Sequence, residues 1–128
     1  MAVYLNHTIV RARDREATAD FYAKTFGFRE PAEFGPFLVL ETDNEVSLDV
    51  LHDDGEIAPQ HYAFLVSESE FDEIFSRVRE QGLTYWADPY HNEPGKINHN
   101  DGGRGVYFDD PNGHKLEIIT RPYGSEDS

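Results

Sequence analysis

The chain repeats itself, and the repeat limits what it can fold into more than any other feature. His7 and His61 stand 54 residues apart, and Gly27 and Gly82, which close two helical segments, stand 55 apart. Near the ends of the halves, Leu48-Asp49-Val50 precedes Leu116-Glu117-Ile118 by 68 residues, the extra spacing matching a longer loop after Asp88. Such spacing means one supersecondary unit used twice.

Each half has the same order. Val3 to Val10 alternates and is β-rich, a strand with His7 near its middle. Asp14 caps a helix over Arg15 to Phe26 that carries Ala17, Phe21, Tyr22, Ala23 and Phe26 at helical spacing, and Gly27 stops it. Strands follow at Phe28 to Phe34, Phe37 to Thr42 and Val46 to Leu51, with Asp43-Asn44 as a hairpin turn. In the second half, His61 to Val66 is a strand and Ser69 caps a helix through Gln81 with Phe71, Ile74, Phe75 and Val78 on one face. Gly82 ends that helix and Leu83 to Ala87 is a short strand. A polar loop from Asp88 to Asp101 leads into a closing hairpin, Val106 to Phe108 and Leu116 to Thr120, turned by Asp110-Pro111-Asn112-Gly113. The expected fold is α+β: one domain over residues 1–128, made of two βαβββ modules at about 3–52 and 61–121. A polar linker, 53–60, joins them and a tail, 122–128, follows. A single module leaves its sheet half covered, so the two are expected to pair around a shared concavity.

Composition removes several function classes. Without cysteine there is no disulfide, thiolate nucleophile or Cys-ligated zinc. Twenty-five acids against 11 Lys and Arg give a net charge of −14, which repels nucleic acid and anionic membrane alike. The acids are spread along the chain, as on a solvated surface. No run approaches the length of a membrane span and Met1 to Leu5 lacks the regions of a signal peptide, so a soluble, cytoplasmic protein is expected.

One residue breaks the apolar pattern of the closing strand. Glu117 sits among Leu116, Ile118 and Ile119, and a carboxylate there is costly to bury unless a cation pairs with it.

Three segments carry a family resemblance: Leu5 to Val10 with Phe21-Tyr22 and Gly27-Phe28, then His61-Tyr62-Ala63-Phe64, then Tyr107 to Glu117 through Asp109-Asp110-Pro111-Asn112-Gly113. Over about residues 3 to 121 the chain resembles the vicinal oxygen chelate superfamily of glyoxalases, bleomycin-resistance proteins and ring-cleaving dioxygenases. The resemblance implies that each module forms half of a cup-shaped, half-barrel sheet with its helix outside and a metal within. Residue by residue, it places His7 and His61 at the first-strand ligand positions and Glu117 at the final-strand position. This donor set suits a divalent ion, Fe, Mn, Zn or Ni, with positions open to a substrate's two vicinal oxygens. Asp49 stands at the partner position of Glu117, either as a fourth ligand or, being a methylene shorter, as a base or a group orienting a histidine.

Other residues have two readings each. Tyr107 either offers its phenol to substrate or packs in the wall. Arg104, beside Gly102, Gly103 and Gly105, either clamps a substrate anion or forms a surface salt bridge. Trp86, flanked by Tyr85, fills the core or lines the substrate wall. His99 is the choice for a general acid or base in the long loop, which at this length suits a lid. His114 and His52 are expected to face solvent.

The function implied is a metal-dependent, glyoxalase-like lyase, isomerase or epimerase acting on a small molecule. Glu117 or Asp49 would carry the proton and the metal would stabilise an enolate. A second reading is an Fe(II) ring-cleaving dioxygenase built on His7, His61 and Glu117, with His99 and Tyr107 as acid-base partners. A third is antibiotic resistance, as a thiol transferase resembling the fosfomycin-modifying enzymes or as a metal-free drug-binding dimer. Ile9, Ala87 and the 88–101 loop depart from the transferase pattern. By resemblance a homodimer is expected.

Overall fold

The computed structural model describes residues 2–125; the last three residues of the expected tail, 126–128, lie outside it. The chain divides into two compact units, Met1–Ala58 and Pro59–Ser128. Each holds one helix and one four-stranded mixed sheet.

In the first unit β1 (His7–Ala12), α1 (Arg15–Phe26), β2 (Ala32–Phe34), β3 (Phe37–Glu41) and β4 (Ser47–His52) form a sheet of order β1-β4-β3-β2. β1 runs parallel to β4 and the other pairs are antiparallel. Asp14 caps α1 by accepting from Ala17 N at 3.1 Å, and Gly27 closes it at φ 79°, a left-handed conformation that glycine adopts without strain. The side chains α1 buries are Thr18, Ala19, Tyr22 and Thr25. The expected apolar set shares only Tyr22 with them, because small residues let the helix lie close to Val10, Ala12, Leu40, Leu48 and Val50, all buried. The expected strand from Val3 starts only at His7. Ser47 is the first residue of β4 to pair with β1, its N–H donating to the Asn6 carbonyl, so Val3, Tyr4 and Leu5 lie beyond the end of β4 and are exposed. The β3–β4 turn extends to Glu45, which takes the positive φ of 66°.

In the second unit β5 (His61–Leu65), α2 (Glu68–Glu80), β6 (Tyr85–Trp86), β7 (Gly105–Asp109) and β8 (Lys115–Ile119) give order β5-β8-β7-β6, the same topology. Ser67 rather than Ser69 caps α2. Its hydroxyl accepts from Glu70 N at 3.1 Å while the Glu70 carboxylate accepts from Ser67 N at 3.0 Å, a closed capping box. Phe71, Ile74 and Val78 form the buried stripe of α2, and Phe75 meets the Tyr85 ring edge-on at 4.9 Å. Val106, Phe108, Leu116 and Ile118 are fully buried on alternate positions of β7 and β8, each stabilising the unit by about 1.5–3 kcal/mol. The other face of that sheet carries the polar residues considered below. Asp110 closes the last hairpin by accepting from Asn112 N and His114 N, both at 2.8 Å, with Gly113 at φ 88°.

His114 does not face solvent. It is fully buried, and its Nδ1 accepts from Gln60 N at 3.0 Å. Among the described residues no helix is long and apolar enough to cross a membrane.

Candidate metal centre

Strand register explains why the repeat places these residues as it does. His7 pairs with Ser47 and Ile9 with Asp49; in the second unit His61 pairs with Lys115 and Ala63 with Glu117. Each histidine therefore opens its strand two residues from the row of its sheet's acid, on the same face, since alternate side chains point the same way. The acid rows then diverge: Ile9, Asp49, Val39 and Ala32 in the first unit, Ala63, Glu117, Tyr107 and Trp86 in the second. A phenol and an indole stand in the second unit where the first has small aliphatic groups.

Glu117 is 1% exposed. Its Oε1 lies 3.1 Å from His61 Nε2, and its Oε2 accepts a 2.5 Å hydrogen bond from the Tyr123 hydroxyl. The Tyr107 hydroxyl lies 3.1 Å from that of Tyr123. A carboxylate only accepts, so the order of donation is Tyr107 to Tyr123 to Glu117. Burial, then the bonds to Tyr123 and Glu117, push the Tyr107 phenol far above its ordinary value. Burial and the bond to Glu117 also raise Tyr123. Both phenols therefore stay protonated donors at neutral pH.

The histidine tautomers are set by their partners. His61 Nδ1 lies 3.1 Å from the Lys115 carbonyl oxygen, which only accepts, so the tautomer that satisfies this contact carries its hydrogen on Nδ1. His7 Nδ1 lies 2.7 Å from Asn6 Oδ1 in the same relation. In both rings Nε2 is left to bind something else, the arrangement in which a second-layer acceptor orients a metal-ligating imidazole. At His61 that nitrogen faces a carboxylate oxygen. Either the ring is an imidazolium, or lone pair meets lone pair and a cation between them is what makes the contact favourable. Two donors each about 2.1 Å from one ion at right angles stand about 3 Å apart, and the observed separation is 3.1 Å. The residues present therefore fit a divalent ion. Within the second unit His61 and Glu117 are a pair, and among the described residues no third His, Asp or Glu of that unit joins them.

The remaining expected residues are distributed as follows. Asp49 is half-buried and its Oδ1 accepts from the Ser47 hydroxyl at 2.8 Å. Arg104 reaches α2: its Nε and Nη1 donate to Glu68 and Asp72 at 2.8 Å each, Nη2 donates to the Glu68 carbonyl at 3.0 Å, and the guanidinium lies 4.3 Å from the centre of the Phe71 ring. These contacts are the ion pairs that the salt-bridge reading of Arg104 expects. Trp86 stacks on His91 with ring centres 3.6 Å apart, and His91 Nε2 lies 3.8 Å from Asp109. His99 is exposed and precedes a short 3-10 turn, Asn100–Gly102. The long loop is built rather than loose. Asp88 accepts from the backbone N–H groups of Tyr90, Asn92 and Glu93, and bridges join Trp86 to Pro94 and Asn98 to Gly105.

Tyr123 is the residue that sequence reasoning missed. It lies in the tail beyond the last strand, and only its place after the closing hairpin could have pointed to it.

A profile of the Glyoxalase/Bleomycin resistance protein/Dioxygenase superfamily matches residues 4–118. The solved structure of oxidase ChaP-H2 is 64% identical, covering 99% of this chain and all of its own, with a TM-score of 0.96. Oxidase ChaP-H1 is 63% identical over 96% of this chain and 99% of its own, with a TM-score of 0.94. Glutathione transferase FosA of Serratia marcescens is 29% identical over 89% of this chain and 78% of its own length. These relatives are enzymes, a transferase and two oxidases. The fold, with its paired βαβββ modules, and the match across nearly the whole chain establish that this protein belongs to the glyoxalase, bleomycin resistance protein and dioxygenase superfamily.

Proposed function

We propose that this protein is a metal-dependent oxidoreductase that uses dioxygen to oxidise a small aromatic molecule bearing two vicinal oxygens. The observation that carries the reading is the shared state of His7 and His61, each with Nδ1–H given to an oxygen acceptor and Nε2 left available, together with Glu117 facing His61. Oxidation is preferred to isomerisation because the relatives at 63–64% identity are oxidases, whereas the transferase relative stands at 29%.

His7, His61 and Glu117 are the proposed ligands, with Asp49 held in reserve by Ser47. When bound, the ion supplies Lewis acidity and, if iron or manganese, one-electron chemistry. The Lys115 carbonyl keeps the His61 ring in one orientation. Ala63 stands beside Glu117 in the sheet. The Tyr107 and Tyr123 hydroxyls hold the carboxylate in place from the side away from His61. Trp86, in the same row, carries its stacked His91 as a planar border suited to an aromatic ring.

The test is oxygen uptake by protein loaded with Fe(II) or Mn(II) and supplied with a panel of catechols and polycyclic ortho-dihydroxy aromatics. Uptake with loss of substrate is expected, and none from His61→Ala. Isomerisation of a hemithioacetal, or thiol addition to an epoxide, without oxygen uptake would replace this reading with the glyoxalase-like or transferase one.

A further inference from the structure

We infer that Tyr123 is a positioning residue that leaves Glu117 a one-oxygen ligand, and that Tyr107 supports that bond from the far side of the Tyr123 hydroxyl. The inference rests on the metal-site reading above but concerns a residue that reading does not require.

The carboxylate has two oxygens with different neighbours. Oε1 looks toward His61 Nε2 at 3.1 Å, whereas Oε2 is taken at 2.5 Å by the Tyr123 hydroxyl. A charge-assisted O–H···O bond of that length fixes both the oxygen and the carboxylate plane. It also draws electron density to Oε2, so that Oε1 is the oxygen presented on the histidine side. Tyr123 itself sits on a turn held by contacts outside the carboxylate. Ser125 N donates to the Pro122 carbonyl at 3.2 Å, Arg121 Nη2 donates to the Ser125 carbonyl at 2.8 Å, and Gly124 N donates to Asp101 at 3.2 Å. The turn is thereby tied to the loop before β7, and the phenol arrives from a scaffold that does not depend on a metal. Tyr107, 6% exposed on β7, stands directly opposite Glu117 of β8, and its hydroxyl lies 3.1 Å from the Tyr123 oxygen. Donating to the Tyr123 oxygen, it strengthens the bond that Tyr123 gives to Glu117. The first unit has no such device, since Val39 occupies the position matching Tyr107 beside Asp49.

The experiment is titration of metal-free protein with Co(II), read by visible absorption and repeated on Tyr123→Phe, Tyr107→Phe, the double variant and His61→Ala, with metal-free melting curves for each. Tyr123→Phe should weaken Co(II) binding about 10- to 100-fold and alter the Co(II) spectrum. Tyr107→Phe should weaken it about two- to fourfold, and the double variant should lose less than the product of the single losses, because the two phenols act on one carboxylate. A lowered metal-free melting point with unchanged Co(II) affinity in Tyr123→Phe would overturn the inference. A double variant whose loss is the product of the single losses would overturn the relay. Should Tyr123→Phe fail to fold, Tyr107→Phe decides alone, and unaltered affinity there sinks the relay. Retention of wild-type affinity by His61→Ala would instead defeat the metal-site reading itself.

Discussion

Glu117→Gln separates the carboxylate's role in the metal-free fold from its role toward an ion. In the metal-free protein the substitution keeps the shape, and the new amide oxygen still accepts from the Tyr123 hydroxyl. The amide N–H faces His61 Nε2, which is left with a lone pair once Nδ1 donates to Lys115 O. A neutral hydrogen bond replaces a charge-assisted one, a loss of about 1 kcal/mol, offset by removal of a buried charge. The metal-free stability should therefore change by no more than about 1 kcal/mol. A ligand held at 100 times its dissociation constant stabilises the native state by about 2.7 kcal/mol. For 128 residues at about 2.1 cal/mol/K per residue, the unfolding entropy is roughly 0.27 kcal/mol/K, so the melting point should rise by about 10 °C. Differential scanning calorimetry with and without Mn(II) or Zn(II) reads both quantities. The wild type should gain about 10 °C, while Glu117→Gln should start within about 4 °C of it and gain little. Equal gains in the two proteins, or no gain in the wild type with Fe, Mn, Zn or Ni, would refute the reasoning.

Other consequences are open to direct measurement. Arg104→Ala should cost about 1–2 kcal/mol in urea unfolding, discounted because Glu68 and Asp72 are 61% and 68% exposed, and should leave substrate KM unmoved; a large KM rise at constant stability would restore the clamp. Ser67→Ala should lose about 1 kcal/mol by opening the capping box. The Ser67 backbone N–H holds the Glu70 carboxyl below its ordinary value. That stability is complete above about pH 4.5 and is lost as pH falls through the depressed folded value, so acid melting curves of wild type and Glu70→Gln should converge at low pH. Gly103→Ala should destabilise by about 1–3 kcal/mol, since the added Cβ would stand 2.5 Å from Thr120 Oγ1 and 2.8 Å from Arg121 Cγ; an unchanged urea midpoint would show that the tail yields freely there.

The topology was legible because it was written twice. The apolar runs around Asp49 and Glu117 marked the central strands, and the 54-residue interval between the histidines anticipated that His7 and His61 would lie on matching strands, although His7, expected near the middle of its strand, opens it. Local pattern failed where a distant partner decides. Val3 to Leu5 have β propensity but nothing to pair with, and His114 is buried because Gln60 meets it across 54 residues of chain. Ser67 and Ser69 are equally good caps by type, and only Glu70, three residues after Ser67, chooses between them. Arg104 and Tyr123 show the same limit from the functional side. An arginine among glycines looks like an anion clamp until α2 brings Glu68 and Asp72 to it, and a tail tyrosine carries no periodic signal at all.

The connection between β6 and β7 has a consequence for how such a chain can change. It is anchored at one end by the Trp86–Pro94 bridge and the three N–H groups gathered by Asp88, and at the other by the Asn98–Gly105 bridge and the Asn98 side chain on the Ala87 carbonyl. Between those anchors Lys96 and Ile97 belong to neither sheet. Lengthening the chain there costs only a slowly growing closure entropy, and disturbs neither the histidine rows nor the hairpin that bears Glu117. Lys96-Ile97 is therefore a place where the chain can grow while the framework that carries Glu117 stays still.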